Sequence, residues 1–119
     1  MGTIRINDLK LRAIIGTHSW ERVNRQDVVA NITIEYDASN ACKSDVLKDA
    51  LDYQTLTAKV IKMVERSDYL LLEKLTAKVM DLVMTDKRVQ SAYVRLDKPH
   101  AIPEARCVSF ELSAQRVNS

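Results

Sequence analysis

The sequence predicts an α+β fold in which two helices cover one face of a four-stranded antiparallel sheet, in the order ββααββ. Three observations support this prediction. Apolar and polar residues alternate near both ends of the chain, which is the periodicity of half-buried strands. Between these segments, apolar residues recur at helical spacing. The strand positions that face away from the predicted core are polar, so the second face of the sheet is expected to contact water.

Four strands follow from the alternation. The first lies within residues 4–15, where the apolar phase slips by one residue at Asn7–Asp8; the slip indicates either a β-bulge in one long strand or a tight turn between two short ones. The second covers Val28–Tyr36, and the third and fourth cover 92–96 and 108–114. The polar second face contains Asn31, Thr33, Glu35, Arg95, Asp97, Ser109, Glu111, Ser113 and Gln115.

Two helices are predicted in the middle of the chain. The first starts at Asp52 and carries its apolar stripe over Tyr53–Val64. The second covers Leu71–Met84, with Asp68 as a candidate N-terminal cap. The polar connection 37–50 predicts at most one helical turn, near its start.

A glycine and a polar loop follow the first strand. Gly16 is one of only two glycines, and a turn residue without a Cβ would let backbone N–H groups face a ligand. The loop 17–26 is either functional or a solvated hairpin connection, and its charge does not separate the two. An open sheet also leaves two unpaired edges, and pairing between subunits into a barrel with a wet interior would satisfy both.

Length and composition indicate a single domain, residues 1–119, with 46% hydrophobic and 29% charged residues. A net charge of +2 with interleaved acids and bases predicts no nucleic-acid partner, and the absence of a long apolar run predicts no membrane partner. Cys42 and Cys107 match no disulfide or zinc pattern, and with only His18 and His100 no metal site is expected. This usage is typical of a reduced, cytoplasmic protein.

Glu73 follows three consecutive leucines, and the helical apolar pattern resumes at Leu75. Carboxylates are rarely buried without a partner. Two interpretations are open from spacing alone. Glu73 either points into water beside Lys74, or it lies near a helix start at the mouth of a pocket, where it awaits a ligand with paired N–H donors.

Four segments carry a resemblance to a known family: Leu-Arg-Ala-Ile-Ile-Gly at 11–16, Asn-Arg-Gln-Asp-Val-Val at 24–29, Leu-Leu-Glu-Lys-Leu-Thr at 71–76 and Asp-Lys-Pro-His-Ala at 97–101. In order and spacing, over essentially the whole chain, they resemble the dihydroneopterin aldolase family of the tunnelling fold, and within it the epimerase branch. The resemblance implies a pterin substrate, sites between subunits, and an octamer of two stacked tetrameric rings in which the sheets join into a barrel.

The resemblance assigns Glu73 to the amino-pyrimidinone edge of the pterin. That edge presents two parallel N–H groups, which a carboxylate accepts in a fork. The resemblance places the other substrate contacts at Thr17, His18 and Leu72, with Leu51 supplied by the neighbouring subunit.

The resemblance also assigns the acid–base groups. Lys98 exchanges a proton with the substrate's 2′-hydroxyl through water, Tyr53 of the neighbouring subunit exchanges one near the pterin's side-chain carbon, and Glu21 orients the hydroxyl and the lysine. The residues alone allow a plainer interpretation of each. Lys98 could be an ordinary lysine at the end of a strand, Tyr53 the first apolar residue of a helix, and Glu21 a solvated acid in a loop. The implied chemistry needs neither metal nor cofactor, because the C=N bond of the dihydropterin accepts the electrons.

Two outcomes of this chemistry remain open, namely inversion at C2′ or cleavage to 6-hydroxymethyl-dihydropterin and an aldehyde. The residues that bind the phosphate groups of the substrate should determine which of the two outcomes occurs. Arg25 and His100 are the first candidates for this binding, followed by Arg22 and Arg106, although a solvated loop explains the same charges. Outside this enzyme class, a non-catalytic pterin- or purine-binding oligomer and a purely structural oligomer remain alternatives.

Overall fold

A computed structural model describes residues 1–117, and its strands form one antiparallel sheet in the order β1-β2-β3-β4. The strands are β1 (Gly2–Ala13), β2 (Gln26–Tyr36), β3 (Val89–Lys98) and β4 (Val108–Gln115). The predicted strand order is confirmed. β3 begins earlier than predicted, because the consecutive half-buried polar residues at 90–91 interrupt the alternation.

The slip at Asn7–Asp8 is a β-bulge within one long strand. The pairing of β1 with β2 shifts register between Ile6 and Leu9, and Asp8 adopts a left-handed φ of 55°. The Asp8 N–H donates to Asn31 Oδ1 at 3.0 Å, so a side chain replaces the ladder partner that the bulge removes. The bulge keeps apolar residues on both sides of it packed against the same core.

Four helices connect the strands: α1 (Ser19–Val23), α2 (Ser39–Ser44), α3 (Tyr53–Arg66) and α4 (Leu72–Met84). A turn of 3₁₀ helix, Leu47–Asp49, precedes α3. The two long helices are those predicted from periodicity. The short helix α1 was not predicted, because five residues are too few to show a helical period. α2 corresponds to the helical turn expected near the start of 37–50.

The two long helices begin differently. Asp52 caps α3, since its Oδ1 accepts from the Thr55 N–H at 3.1 Å and its Oδ2 from the Thr55 hydroxyl at 2.8 Å. The prediction that Asp68 caps α4 is wrong. The residue before α4 is Leu71, which supplies no side-chain cap, and Asp68 contributes its backbone carbonyl to a contact with Arg22 instead.

α3 packs against β1, α4 packs against β3 and β4, and the helices contact each other, so both cover the same face of the sheet. The core between the two layers is apolar; its fully buried members include Ile15, Ile32, Leu75, Val79 and Leu96. The opposite face carries the predicted polar side chains. The molecule measures 51 × 25 × 25 Å. None of the helices within residues 1–117 is long and apolar enough to span a bilayer.

Candidate active site

A buried carboxylate lies where α1 meets the end of β3. Glu21 is only 8% exposed, although its loop is polar in sequence. Its Oε2 accepts from Lys98 Nζ at 2.5 Å and from Gln26 Nε2 at 3.0 Å. Its Oε1 accepts from the His18 backbone N–H at 3.2 Å. Three donors from three parts of the chain therefore hold one carboxylate in place.

These donors lower the pKa of Glu21. Burial by itself would raise that pKa, but the hydrogen bonds from Lys98, Gln26 and the His18 N–H lower it from 4.5 to about 2. The carboxylate is therefore ionised at neutral pH. The Lys98 side chain, 13% exposed, lies against this fixed negative charge, so its amino group is held in one position at the end of β3.

The local sequence explains how Glu21 turns inward. His18 is the residue before α1, and Glu21 occupies the third helical position. A glutamate at that position reaches back to the backbone N–H of the residue before the helix, as one half of a capping box does. The Glu21–His18 hydrogen bond has this geometry, and it directs the carboxylate away from solvent.

Gly16 makes room for the carboxylate. A Cβ at this position would lie 2.2–2.4 Å from the carboxyl atoms of Glu21, and the backbone φ is +129°. Both conditions require glycine. The Gly16 N–H was expected to face a ligand, but it donates to the Tyr69 carbonyl at 3.3 Å. The glycine therefore serves the close approach of Glu21 and ties the loop to the segment before α4.

Gln26 is a site residue that sequence reasoning missed. It is 7% exposed, and its Nε2 also donates to the Ile15 carbonyl at 2.8 Å. A signal existed in the strand pattern, because position 26 shares the core-facing phase of Val28 and Ala30, where a polar side chain needs a partner. Lys98 occupies the corresponding core-facing phase of β3.

The substrate-binding candidates near this network lie on two neighbouring segments. Thr17 and His18 are exposed in the loop between Gly16 and α1, although the His18 N–H is used by Glu21. Leu72 and Glu73 are the first two residues of α4; Leu72 is buried and Glu73 is exposed. Because α4 starts beside the tethered loop, the structure places all four at the same end of the sheet as the Glu21–Lys98 pair.

Leu51 and Tyr53 do not join these residues within one subunit. They precede and begin α3, whereas the other end of α3 leads into the segment that contacts the Gly16 loop. The 14 residues of α3 span about 20 Å. The Tyr53 side chain is 51% exposed and Leu51 is 1% exposed. Within one chain, Tyr53 and Lys98 are therefore separated by roughly the length of α3.

Arg25 and His100 lie beside the network on its solvent side. Arg25 Nη1 donates to the Glu65 carbonyl at 2.8 Å. His100 Nε2 lies 3.6 Å from Asp27 Oδ2, and its side chain is 76% exposed. His100 also lines a surface cavity of about 460 Å³ in the loop after β3, together with Arg106. The part of the chain that the structure describes contains no group of three or more His, Cys, Asp or Glu placed to hold a metal ion.

Comparison with known proteins identifies the family of this chain. The family model for FolB, dihydroneopterin aldolase, matches residues 4–113. The chain therefore belongs to the dihydroneopterin aldolase family, as the four sequence segments predicted. Among solved structures, it is similar to the Escherichia coli dihydroneopterin aldolase in complex with neopterin, with a TM-score of 0.91 and 27% identity over 96% of this chain and 99% of that one.

Two curated relatives narrow the comparison to one branch of the family. The chain is 42% identical to the dihydroneopterin triphosphate 2′-epimerase of Pseudomonas aeruginosa over 98% of this chain and 94% of the relative. It is 46% identical to the enzyme of the same name from Escherichia coli K12 over 95% of this chain and 94% of the relative.

Proposed function

We propose that this protein is an isomerase that inverts C2′ of 7,8-dihydroneopterin triphosphate to give dihydromonapterin triphosphate. The observation that carries the proposal is the buried Glu21–Lys98 pair at the same end of the sheet as the start of α4, where Glu73 is exposed. This arrangement provides an acid–base group and a pterin-reading carboxylate at one end of the sheet. The identity to two named epimerases supports inversion over simple cleavage.

Glu73 holds the pterin ring in this proposal. Its carboxylate accepts the two parallel N–H groups of the amino-pyrimidinone edge. The first N–H groups of a helix have no intrahelical acceptor, so the backbone at Leu72 is suited to a further contact with the ring. Guanine carries the same edge and no side chain, which makes it a probe for ring binding alone.

The reaction begins when Lys98, in its neutral amine form, takes the 2′-hydroxyl proton through a bridging water and becomes the ammonium. The C1′–C2′ bond then breaks, its electron pair enters the C=N bond of the dihydropterin, and C2′ leaves as an aldehyde. The anionic Glu21 holds the lysine and orients the hydroxyl. If the aldehyde rotates within the site and C1′ attacks its other face, C2′ is inverted and Lys98 returns the proton to the 2′ oxygen. Every bond broken is remade, so no co-reactant is consumed.

The same groups can also run the cleavage reaction. If C1′ is protonated before the aldehyde returns, the products are 6-hydroxymethyl-dihydropterin and the aldehyde, and the enzyme is a dihydroneopterin aldolase. We assign proton exchange near C1′ to Tyr53. The family match favours this second activity as a side reaction of the same site.

The separation of Tyr53 from Lys98 leads us to propose that each site is completed by a neighbouring subunit. Apolar side chains are exposed at both ends of α3 and α4: Trp20, Val23, Leu70 and Leu71 near the Glu21 end, and Val46, Leu47 and Tyr53 near the other. Contact between the Glu21 end of one subunit and the Tyr53 end of the next is heterologous. Such contacts generate a closed ring when the rotation that relates successive subunits returns to the first one. Such rings pair β1 of one sheet with β4 of the next into a barrel, and two stacked rings give the octamer.

Arg25 and His100 are our candidates for holding the phosphorylated tail. Both lie next to residues of the Glu21 network in sequence or space, and His100 and Arg106 line a cavity large enough for phosphate groups. Tight binding of the phosphate groups keeps the cleaved aldehyde in the site while it rotates to present its other face. Both cysteines are free thiols, which is consistent with our placement of the reaction in the cytoplasm.

The proposal is tested by incubating the protein with 7,8-dihydroneopterin triphosphate at single turnover and separating the products by chiral chromatography. We expect the C2′ epimer as the main product, with a smaller amount of 6-hydroxymethyl-dihydropterin. Cleavage product alone would identify an aldolase. Guanine binding without any product would identify a non-catalytic pterin-binding oligomer, and neither binding nor product would leave a structural role.

A further inference from the structure

Arg22 follows Glu21 directly in α1, but its guanidinium contacts a different part of the molecule. Consecutive helical residues point about 100° apart. Glu21 therefore enters the network with Lys98, whereas Arg22 lies against the segment 67–71, which joins α3 to α4. The contacts of Arg22 indicate a role other than phosphate binding.

All three hydrogen bonds of the Arg22 guanidinium go to backbone carbonyls. Nη1 donates to the Gly16 carbonyl at 3.0 Å and to the Tyr69 carbonyl at 3.1 Å. Nη2 donates to the Asp68 carbonyl at 2.5 Å. One planar group thus holds the loop that surrounds Glu21 and the segment that leads into α4. The Tyr69 carbonyl also accepts from the Gly16 N–H at 3.3 Å, so the two segments are joined at adjacent points.

The start of α4 depends on this tether more than an ordinary helix start would. The residue before the helix, Leu71, supplies no side-chain cap, and the neighbouring Leu70 and Leu71 side chains are 55% and 53% exposed. Neither a cap nor burial therefore fixes these two residues. Glu73 lies four residues after Tyr69, within the first turn of α4.

We propose that Arg22 is a positioning residue that sets the distance between the ring-binding Glu73 and the Glu21–Lys98 pair. The inference rests on the proposed function, in which one substrate must reach both groups at once. A rigid pterin ring bound by its edge fixes the position of C1′, so the 2′-hydroxyl, two bonds further on, can reach Lys98 only over a limited range of distances. A displacement of about 1 Å between the two groups is enough to lower turnover about 100-fold.

The test is Arg22→Met, which keeps most of the side-chain volume and removes the donors. We expect the rate of C1′–C2′ cleavage at single turnover to fall by about 10- to 100-fold. Binding of guanine, which contacts Glu73 without reaching Lys98, should stay within about twofold of the wild type. Amide hydrogen exchange over residues 68–73 should become faster, and this readout is independent of activity.

Arg116→Met is a matched control for the loss of three arginine–carbonyl hydrogen bonds. Arg116 donates to the carbonyls of Val89, Met84 and Asp86 at 2.8, 2.7 and 3.2 Å, near the start of β3. We expect it to lower the melting temperature as Arg22→Met does, with a much smaller effect on the cleavage rate. If Arg22→Met does not accumulate as folded protein, Arg22→Lys provides the same comparison, because an ammonium cannot reproduce the planar fork.

Three results would overturn the inference: an unchanged cleavage rate in the folded variant, an equal loss of rate in Arg116→Met, or a loss of guanine affinity that parallels the loss of rate. The last would mean that Arg22 maintains the ring site itself and not its distance from Lys98. Failure of the proposed function is distinguishable, because the wild-type protein would then yield no product from the pterin substrate.

Discussion

The two ends of this molecule are built in opposite ways. At one end, Glu21 is buried and holds Lys98 at 2.5 Å, with Gln26 and a backbone N–H as further donors. At the other end, the Tyr53 side chain is 51% exposed, among other exposed apolar residues. The first end is a hydrogen-bonded network around a buried charge, whereas the second leaves a tyrosine exposed to solvent.

Under the proposed assembly, this contrast explains how a small chain contributes to a site that extends over two subunits. A network that must fix a charge has to be buried within one subunit, because burial excludes water from its hydrogen bonds. A residue that serves the neighbouring subunit has to be exposed in its own. Under the proposed assembly, the two ends meet, and each is incomplete without the other.

Removing the lysine of the buried end should cause the greatest loss of activity. Lys98→Ala should lower both epimerisation and cleavage by about 10²–10⁴-fold, because both begin with removal of the 2′-hydroxyl proton. Guanine binding should persist. Lys98→Gln is the matched control, since its amide can still donate to Glu21 but cannot exchange the proton; it should lose as much. If either reaction survives in single-turnover assays of Lys98→Ala, the shared first step is wrong.

The next effect tests whether the two ends meet between subunits. The activity measured here is formation of 6-hydroxymethyl-dihydropterin, because this cleavage needs Lys98 for its first step and Tyr53 to protonate C1′; Lys98→Ala and Tyr53→Phe subunits should each form little of it. When they are unfolded, mixed in equal amounts and refolded together, about a quarter of the sites should combine an intact Lys98 with an intact Tyr53. The recovered activity should reach about that fraction of the wild-type value. Recovery no greater than that of the separately refolded variants would contradict the assembly, as would an active monomer by light scattering.

Glu73→Gln tests the proposed role of Glu73 in binding the pterin ring. An amide accepts through one oxygen only, so one of the paired contacts is lost. A charge-assisted hydrogen bond contributes about 1.5–3 kcal/mol, so guanine affinity measured by calorimetry should fall by roughly 10- to 100-fold. Glu73 is exposed, and we expect no change in melting temperature. Asp81→Asn, an exposed carboxylate-to-amide change in the same helix, should bind guanine normally.

The smallest effect concerns the solvent side of the buried end. Replacing Arg25 with Met or His100 with Asn should lower the ratio of epimer to cleavage product severalfold while C1′–C2′ cleavage continues, because a loosely held aldehyde escapes before it is attacked again. Arg66→Met, an exposed arginine of α3, should leave the ratio unchanged. If neither Arg25 nor His100 alters the product ratio at single turnover, the tail binds elsewhere, and the family assignment is unaffected.

The sequence alone predicted the order of the strands and of the two long helices. Alternation over 28–36 and the stripe from Tyr53 to Val64 identified a strand and a helix, because both are long enough to display their period. The phase slip at Asn7–Asp8 identified the bulge. The five-residue helix α1 and the cap of α4 were missed or misassigned, since neither a short helix nor a lead-in segment leaves a periodic signal.

The residues of the site divide in the same way. Glu73 and Lys98 lie in the segments that resemble a known family, because residue type and spacing survive in the linear pattern, and the resemblance then assigned a role to Glu21. Only the tertiary structure decided that Glu21 is buried against Lys98, that Gly16 leaves space for its carboxylate, and that Tyr53 lies a helix length away. Burial, a pKa of about 2 and the distance between two ends of a chain all depend on which residues the fold brings together.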